Sequence, residues 1–382
     1  EYFGIEAYRV PQTGYLVNKY SIGFPLLVAP FFIVTHLVML LLKTVGFNVS
    51  ADGFSAPYQF MVCVGSIFYG YLGLVLSYKL CKKFFSRESS ALAVTAIFFT
   101  SNIFYYFMRE PFMSHLASFF AVTLFIYSWY ELRREGRYGL YFLFGLSAGL
   151  MILVRQQNIA FLLIPAADLF IGGLASKGRS VEQFTARNVG AVLVGFIPII
   201  LMQMMVWKVL FGSFFTYSYG AEPFMYAASP KILQTLFSSR HGLISWNPVI
   251  LFSFIGLILY IKKKNRMAIY FLIAFLLQLY INSSWHMWWL GYAFGGRGFI
   301  NCTAIFIVGL AAIMEALGGG AHKKVSFKFT LPVLIILGMW NMVMIVAYVS
   351  EMIPYGDYFS WMELFKNLSD LPGAVARKIS RL

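Results

Sequence analysis

The sequence predicts an all-α, polytopic membrane protein, and composition, apolar periodicity and charge placement agree on it. Hydrophobic residues make up 60% of the 382-residue chain, charged residues only 12%, and the mean hydropathy is +0.73. A soluble domain carries roughly 25% charged residues. Apolar stretches approaching the ~20 residues that a bilayer requires recur along most of the chain. Basic residues gather between them in runs: Lys82–Lys83–Arg87, Arg133–Arg134–Arg137, Lys177–Arg179–Arg187, Lys262–Lys263–Lys264–Arg266 and Lys323–Lys324–Lys328. A net charge of +15 would point to nucleic acid in a soluble protein. Here the basic runs follow the positive-inside rule, so membrane lipids are the expected surroundings and no nucleic-acid partner is implied.

Residues 1–57 precede the first regular span. Within them, 22–43 (IGFPLLVAPFFIVTHLVMLLLK) is apolar enough to span but breaks the parity of the segments that follow. The favoured reading is a juxtamembrane or re-entrant helix on the outer face, bent at its start by Pro25 and Pro30; a further span is the alternative. Ten candidate spans then follow at 58–80, 90–107, 113–131, 138–154, 157–175, 188–210, 244–261, 266–282, 299–317 and 327–349. Assigning the five basic runs to the cytoplasm makes every span alternate. Residues 350–382 then form an outer-face tail, with spacing that suits a short amphipathic surface helix. The expected organisation is therefore a first-loop segment (1–57), a transmembrane bundle (58–349) and a tail (350–382) in the plasma membrane. Cys63, Cys81 and Cys302 have neither metal-ligand spacing nor a disulfide pattern, so no structural metal site is expected. The chain opens on Glu1 without a signal-peptide pattern, which leads us to expect a missing natural N-terminus.

Four arginines stand apart from the basic runs: Arg109, Arg155, Arg240 and Arg297. Topology places them on the outer face, where they do not serve the positive-inside rule. Isolated guanidinium groups there suit an anionic ligand, most simply a phosphate. Arg109 adjoins Glu110 at a turn between spans, either as an interfacial ion pair or with Glu110 facing a polar substrate or a divalent ion. Arg155 precedes Gln156, Gln157 and Asn158 in a hairpin with almost no loop, and reaches either head groups in general or one specific lipid phosphate. Asp168 reads as a polar contact between helices. The loop 211–243 ends in Arg240 and His241, and its aromatic density fits both an interfacial belt and stacking on sugar rings. The loop 283–298 (SSWHMWWLGYAFGGRGF to residue 299) carries His286 and Trp288 near Arg297. Its Gly295–Gly296 pair would let backbone approach a ligand closely.

The segments TGYLVNKYSIGFPLLVAPFF (13–32), REPFMSH (109–115), LVRQQN (153–158), SSRHGLISWNPVI (238–250) and WHMWWLGYAFGGR (285–297) together resemble bacterial and archaeal membrane glycosyltransferases of the GT-C fold group. The likeness is to the dolichyl-phosphate-mannose–protein mannosyltransferase-like branch, which includes aminoarabinose transferases of lipid A. The resemblance implies a GT-C-like bundle that moves a sugar from a polyprenyl-phosphate carrier to a protein, lipid or glycan acceptor on the outer face. It implies that Lys19 and Tyr20 lie near the donor phosphate and that 22–43 is the juxtamembrane helix. Glu110 then matches the acid of the second outer loop, while Arg155, Arg240 and Arg297 become candidates for the carrier phosphate. His241, His286, Trp288 and Arg109 complete the expected substrate-binding set. The family's catalytic Asp follows a first transmembrane helix upstream of the NKYSIGFP-like segment, and neither is found in this sequence; Glu6 is the nearest acid. The expectation is a chain lacking its N-terminal portion or a non-catalytic member.

Cleaving a glycosyl–phosphate bond builds positive charge on the sugar and leaves negative charge on the carrier. Arginine and lysine would stabilise that leaving group, and a carboxylate would deprotonate the acceptor. A weakly held divalent cation near Glu110 is compatible with this chemistry. The other classes considered are a transporter or flippase of a lipid-linked anionic substrate and a non-catalytic GT-C-like subunit.

Overall fold

The computed structural model describes residues 9–172, 185–220, 222–318 and 327–381. Glu6, Lys177, Arg179, Lys323 and Lys324 lie outside the described residues. Among the described residues the backbone is helix and turn, with one isolated antiparallel bridge between Arg9 and Leu16. The helices are α1 (Gly23–Thr44), α2 (Ala56–Cys81), α3 (Arg87–Thr100), α4 (Ile103–Met108), α5 (His115–Glu135), α6 (Tyr138–Val154), α7 (Leu163–Ala167) and α8 (Ala186–Phe211). They continue as α9 (Ile232–Phe237), α10 (Leu243–Trp246), α11 (Val249–Lys262), α12 (Arg266–Ser284), α13 (Thr303–Leu317), α14 (Phe327–Val349), α15 (Trp361–Asn367) and α16 (Leu371–Ile379).

Among the described residues, six helical runs are long and apolar enough to cross a membrane by length and composition: α1, α2, α8, α12, Arg297–Leu317 and Thr330–Val349. Shorter apolar helices lie at Tyr138–Val154, Gln156–Ile171 and Val249–Lys262. Helix α1 is continuous through Pro30 for 22 residues. Its length suits a crossing as well as the expected juxtamembrane placement. Pro25 falls in its first turn, where a missing N–H costs nothing.

Several expected spans are interrupted, each for a local reason. The segment 90–107 is two helices, because the chain turns extended at Ser101. There Asn341 of α14 donates to the carbonyls of Phe99 and Ser101 at 2.9 and 3.0 Å, replacing helical partners. The segment 244–261 breaks at Asn247, because Pro248 carries no N–H and disfavours the helical region for the residue before it. The segment 157–175 opens as a tight 3-10 helix (Gln156–Leu162) and passes through α7 into a π-turn at Asp168–Gly172. Asp168 pairs there with Arg133 at 3.1 Å, the polar contact its sequence position suggests. The segment 299–317 begins as a 3-10 turn, Arg297–Cys302, before α13.

The chain divides into two compact units, Glu1–Tyr69 with Leu124–Glu222, and Gly70–Thr123 with Pro223–Leu382. In the first, α6 and α8 pack backbone to backbone through Gly145, Gly149 and Gly195, where an added Cβ would overlap the facing helix. Gly145 and Gly149 form the small-xxx-small pattern expected where lipid supplies no hydrophobic drive between helices. In the second unit, α11 and α13 close in the same way at Gly256 and Gly309. Helix α13 is almost wholly buried and forms the centre of that unit, flanked by α3 and α11.

These contacts predict opposite outcomes for two glycines. Gly256→Val places branched carbons on the Gly309 carbonyl and should cost roughly 1–3 kcal/mol, read as a lower melting temperature in detergent. Gly190, in α8, has nothing within 4 Å of an added Cβ, so Gly190→Ala should stabilise by about 0.5–1 kcal/mol.

Candidate functional site

The second unit carries a cavity of about 330 Å³, lined by Tyr105, Arg109, Glu110, Tyr292, Tyr348 and Tyr355 among others. Its geometry follows from α4. Asn102, at the start of that helix, donates to the Gly295 carbonyl at 2.5 Å, and Asn247 donates to the same oxygen at 3.1 Å. One turn on, the Tyr106 hydroxyl donates to the Phe294 carbonyl at 3.2 Å and accepts from the Phe294 N–H at 3.1 Å. These bonds fix α4 against the loop 291–296, so the residues after α4, Arg109 and Glu110, project beside Tyr292.

Glu110 accepts from the Tyr105 hydroxyl at 2.8 Å through Oε1, while Oε2 is buried and has no partner among the described residues. A buried acceptor without a partner costs roughly 1–3 kcal/mol, a cost that a donor entering the cavity would relieve. Arg109 is exposed and makes no ion pair with Glu110 or any other acid among the described residues. Tyr105 and Tyr348 are buried and form the inner wall, with ring centroids 5.9 Å apart. Tyr292 and Tyr355 are 76% and 39% exposed and form the lips.

Arg297 sits next to this cavity. Its Nη1 makes long contacts to the Tyr292 carbonyl at 3.4 Å and to Met113 Sδ at 3.6 Å. The two glycines before it have left-handed φ of 38° and 67°. Their lack of Cβ serves packing: added carbons would press on Trp246 and Leu243. Close approach of backbone is thus realised inside the protein, against α10.

Arg240 is half-buried and highly engaged. Its guanidinium carbon lies 3.6 Å from the Trp289 ring centroid and 5.3 Å from that of Tyr358, and Nε donates to the Gly356 carbonyl at 2.7 Å. His241 beside it is 3% exposed and adopts a left-handed φ of 62°. Neither ring nitrogen has a partner among the described residues. Its ring packs on Trp246 and Tyr348 at 5.1 and 6.1 Å. Burial first, then the charges of Arg297 and Arg240, holds its pKa down to about 3. Trp288 is buried between Trp289 and Tyr358. His286 donates its backbone N–H to Pro223 at 3.1 Å, with Nδ1 buried and unpartnered. It belongs to the packing of 223–231 on 283–286 and does not line the cavity.

The remaining expected residues belong to the first unit. Lys19 is paired with Glu222 and lies 5.6 Å from the rings of both Tyr20 and Tyr219. Burial opposes its charge, yet Glu222 and the tyrosines outweigh that and raise its pKa. Tyr20 is 65% exposed. Arg155 caps the C-terminus of α6, with Nη2 3.4 Å from Gln157 Oε1.

Sequence reasoning missed all four tyrosines that line the cavity: Tyr105, Tyr292, Tyr348 and Tyr355. Tyr105 was visible in YYFMREP, five residues before Glu110. Tyr348 and Tyr355 straddle the end of α14 and reach the cavity only because the chain reverses after Val349.

The depressed histidine gives a signed pH prediction. Unfolded, His241 titrates near 6.5; folded, it titrates near 3. Between these values the unfolded chain binds the additional proton, so stability rises with pH across that window and is lost as pH falls from 6.5 towards 3. Melting in detergent should drop by several degrees from pH 7 to pH 4, and His241→Phe should flatten that slope. An unchanged slope in the variant would count against this.

No protein-family model and no curated protein matches the chain. Among solved structures, it is similar to the crystal structure of ArnT from Cupriavidus metallidurans in the apo state, with 12% identity and a TM-score of 0.51. The match covers 96% of this chain and 65% of the ArnT chain, so this chain spans just under two thirds of that length. The likeness establishes the fold class as an all-α, GT-C-like bundle of membrane helices.

Proposed function

We propose that this chain is a membrane glycosyltransferase that moves a sugar from a polyprenyl-phosphate carrier to an acceptor on the outer face of the plasma membrane. The observation that carries this reading is the cavity of the second unit, where the unpartnered Glu110 oxygen and the unpaired Arg109 guanidinium share a tyrosine-lined wall. The GT-C-like fold and the family resemblance of the sequence support it.

In this reading Glu110 accepts the proton of the acceptor hydroxyl or amine as that group bonds to the anomeric carbon. The glycosyl–phosphate bond breaks, and its electron pair leaves with the carrier phosphate. Arg109 in the cavity and Arg297 beside it stabilise the charge that develops on that phosphate. Tyrosine rings offer flat apolar faces to the sugar and hydroxyls to its polar edge. His241, neutral at physiological pH, is placed to shape the wall behind Tyr348 rather than to exchange protons with solvent.

The assignment of Lys19, Tyr20 and Arg155 to the carrier rests on the sequence resemblance. Lys19 would exchange Glu222 for the phosphate, trading one anion for another. The roles of Glu6 as a second acid and of His286 and Trp288 as substrate contacts rest on the sequence alone. A divalent cation near Glu110 would need ligands from the substrate, because among the described residues no group of three His, Cys, Asp or Glu side chains comes together.

Glu110→Gln should lower sugar transfer from a polyprenyl-phosphate donor by roughly 10²–10⁴-fold, with donor binding little changed. Arg109→Ala should instead weaken binding of polyprenyl phosphate by about tenfold or more, the scale of one charged hydrogen bond. The measurement is transfer in nanodiscs paired with a binding titration. Full transfer by both variants would remove the cavity from the mechanism.

A further inference from the structure

The stretch after α14 does not simply leave the bundle. At Val349 the chain reverses through Glu351, a non-glycine residue with φ 63°, as the N–H groups of Met352 and Ile353 return to the Ala347 carbonyl. Ile353 is fully buried, which anchors the reversal. Tyr355 follows, with its ring 4.8 Å from Tyr348 and its edge on the cavity. Gly356 then crosses Gly291 and Tyr292 so closely that an added Cβ would stand 3.3 Å from the Tyr292 ring. Its φ of 71° is one that glycine adopts freely. Beyond it, Phe359 donates its N–H towards Ser239 Oγ at 3.4 Å and sets its ring 6.0 Å from Trp246.

One side chain joins these pieces. Arg240 stacks on Trp289, donates to the Gly356 carbonyl and lies against Tyr358. It therefore clamps the tail between the loops 238–242 and 288–292. No acid pairs with it among the described residues, so the hold is a planar stack plus one directed hydrogen bond. That geometry requires a guanidinium: lysine supplies the charge but neither the plane nor Nε.

We propose that residues 350–359 form a strap that completes the Glu110 cavity, that Tyr355 contacts the sugar and discriminates among sugars, and that Arg240 is the positioning residue that holds the strap. The inference rests on the glycosyltransferase reading for the identity of the ligand, though not for the clamp. The inner wall, Tyr105 and Tyr348, is buried and shared by any occupant. The lips differ in origin: Tyr292 rides on a loop pinned to α4, whereas Tyr355 depends on the tail. A change of sugar size or substituent is therefore met by Tyr355. This gives Arg240 a role distinct from the phosphate contact its isolation in the sequence suggests.

The test uses the full chain in nanodiscs with Tyr355→Cys as reporter and Cys63→Ser to remove the half-exposed thiol. Maleimide labelling of the reporter should accelerate roughly tenfold with Arg240→Lys and also with Trp289→Leu, since each removes the stack. Unchanged labelling in both would overturn the clamp. In the tyrosine background, transfer is measured from polyprenyl-phosphate-linked hexose and pentose. Tyr355→Ala should raise KM for the better sugar severalfold more than it changes kcat and should narrow the gap in kcat/KM between the two. Arg240→Lys should reproduce that pattern, whereas a phosphate contact made by charge would keep the sugar preference intact. A preserved preference in both variants would overturn the role of Tyr355. A clamp-sensitive reporter in a chain that transfers neither sugar would instead sink the glycosyltransferase reading and leave the clamp standing.

Discussion

The geometry of the second unit hangs on a single carbonyl. The Gly295 oxygen accepts from Asn102 and Asn247 at once, and Tyr106 closes both backbone groups of Phe294 one residue earlier. All of these groups are buried. Each such bond adds only about 1 kcal/mol net, but leaving any one group orphaned costs roughly 1–3 kcal/mol, and more where no water can substitute. The arrangement is therefore nearly all-or-none. From it follow the place of Arg297 at the start of its 3-10 turn, the direction of Arg109 and Glu110 after α4, and the packing of Trp246 against Gly295.

Around that fixed frame the charges are unevenly compensated. Arg109, Arg240 and Arg297 have no acidic partner among the described residues, and Glu110 leaves one oxygen unbonded. The positive field is strong enough to help keep His241 neutral. In the first unit, Lys19 shows the opposite arrangement, a cation already answered by Glu222. An anion entering the second unit would gain from unpaired guanidinium groups at once, while one that reached Lys19 would first displace a carboxylate. The two basic sites thus differ in the work a phosphate must do, although the sequence presents both simply as cations beside aromatics.

The architecture was legible because its signals are additive over long windows. Apolar runs and basic loops place α1, α2, α8, α12, α13 and α14 within a few residues of their ends. What the windows average away are single residues that cut a span: Asn341 taking the carbonyls at the end of α3, and Pro248 splitting α10 from α11. Arg109 and Glu110, which line the cavity, stood out as candidates in the sequence because charged residues are rare here. Tyr355 did not, because nothing local to the tail encodes a reversal that depends on the Ala347 carbonyl and on Arg240, more than a hundred residues away.

The loop 285–292 shows why composition alone could not separate an interfacial aromatic belt from a sugar-binding surface. Its aromatic residues take different positions. Trp285 packs on Phe224, Trp288 is buried, Trp289 lies under Arg240, and Tyr292 faces the cavity. Leu290, with φ 65°, and Gly291, with φ 72°, turn the chain between Trp289 and Tyr292 so that the two rings serve different neighbours. The left-handed turn is thus the feature that divides scaffold from cavity lining. A leucine held at positive φ is costly, of order 1–3 kcal/mol. Its Cδ1 is also the atom a Cβ on Gly298 would strike, so the strained residue is wedged between the loop and the turn that carries Arg297. The strain at Leu290 and the small residue at Gly298 therefore belong to one device, which keeps Tyr292 and Arg297 on the same side of the frame set by Gly295.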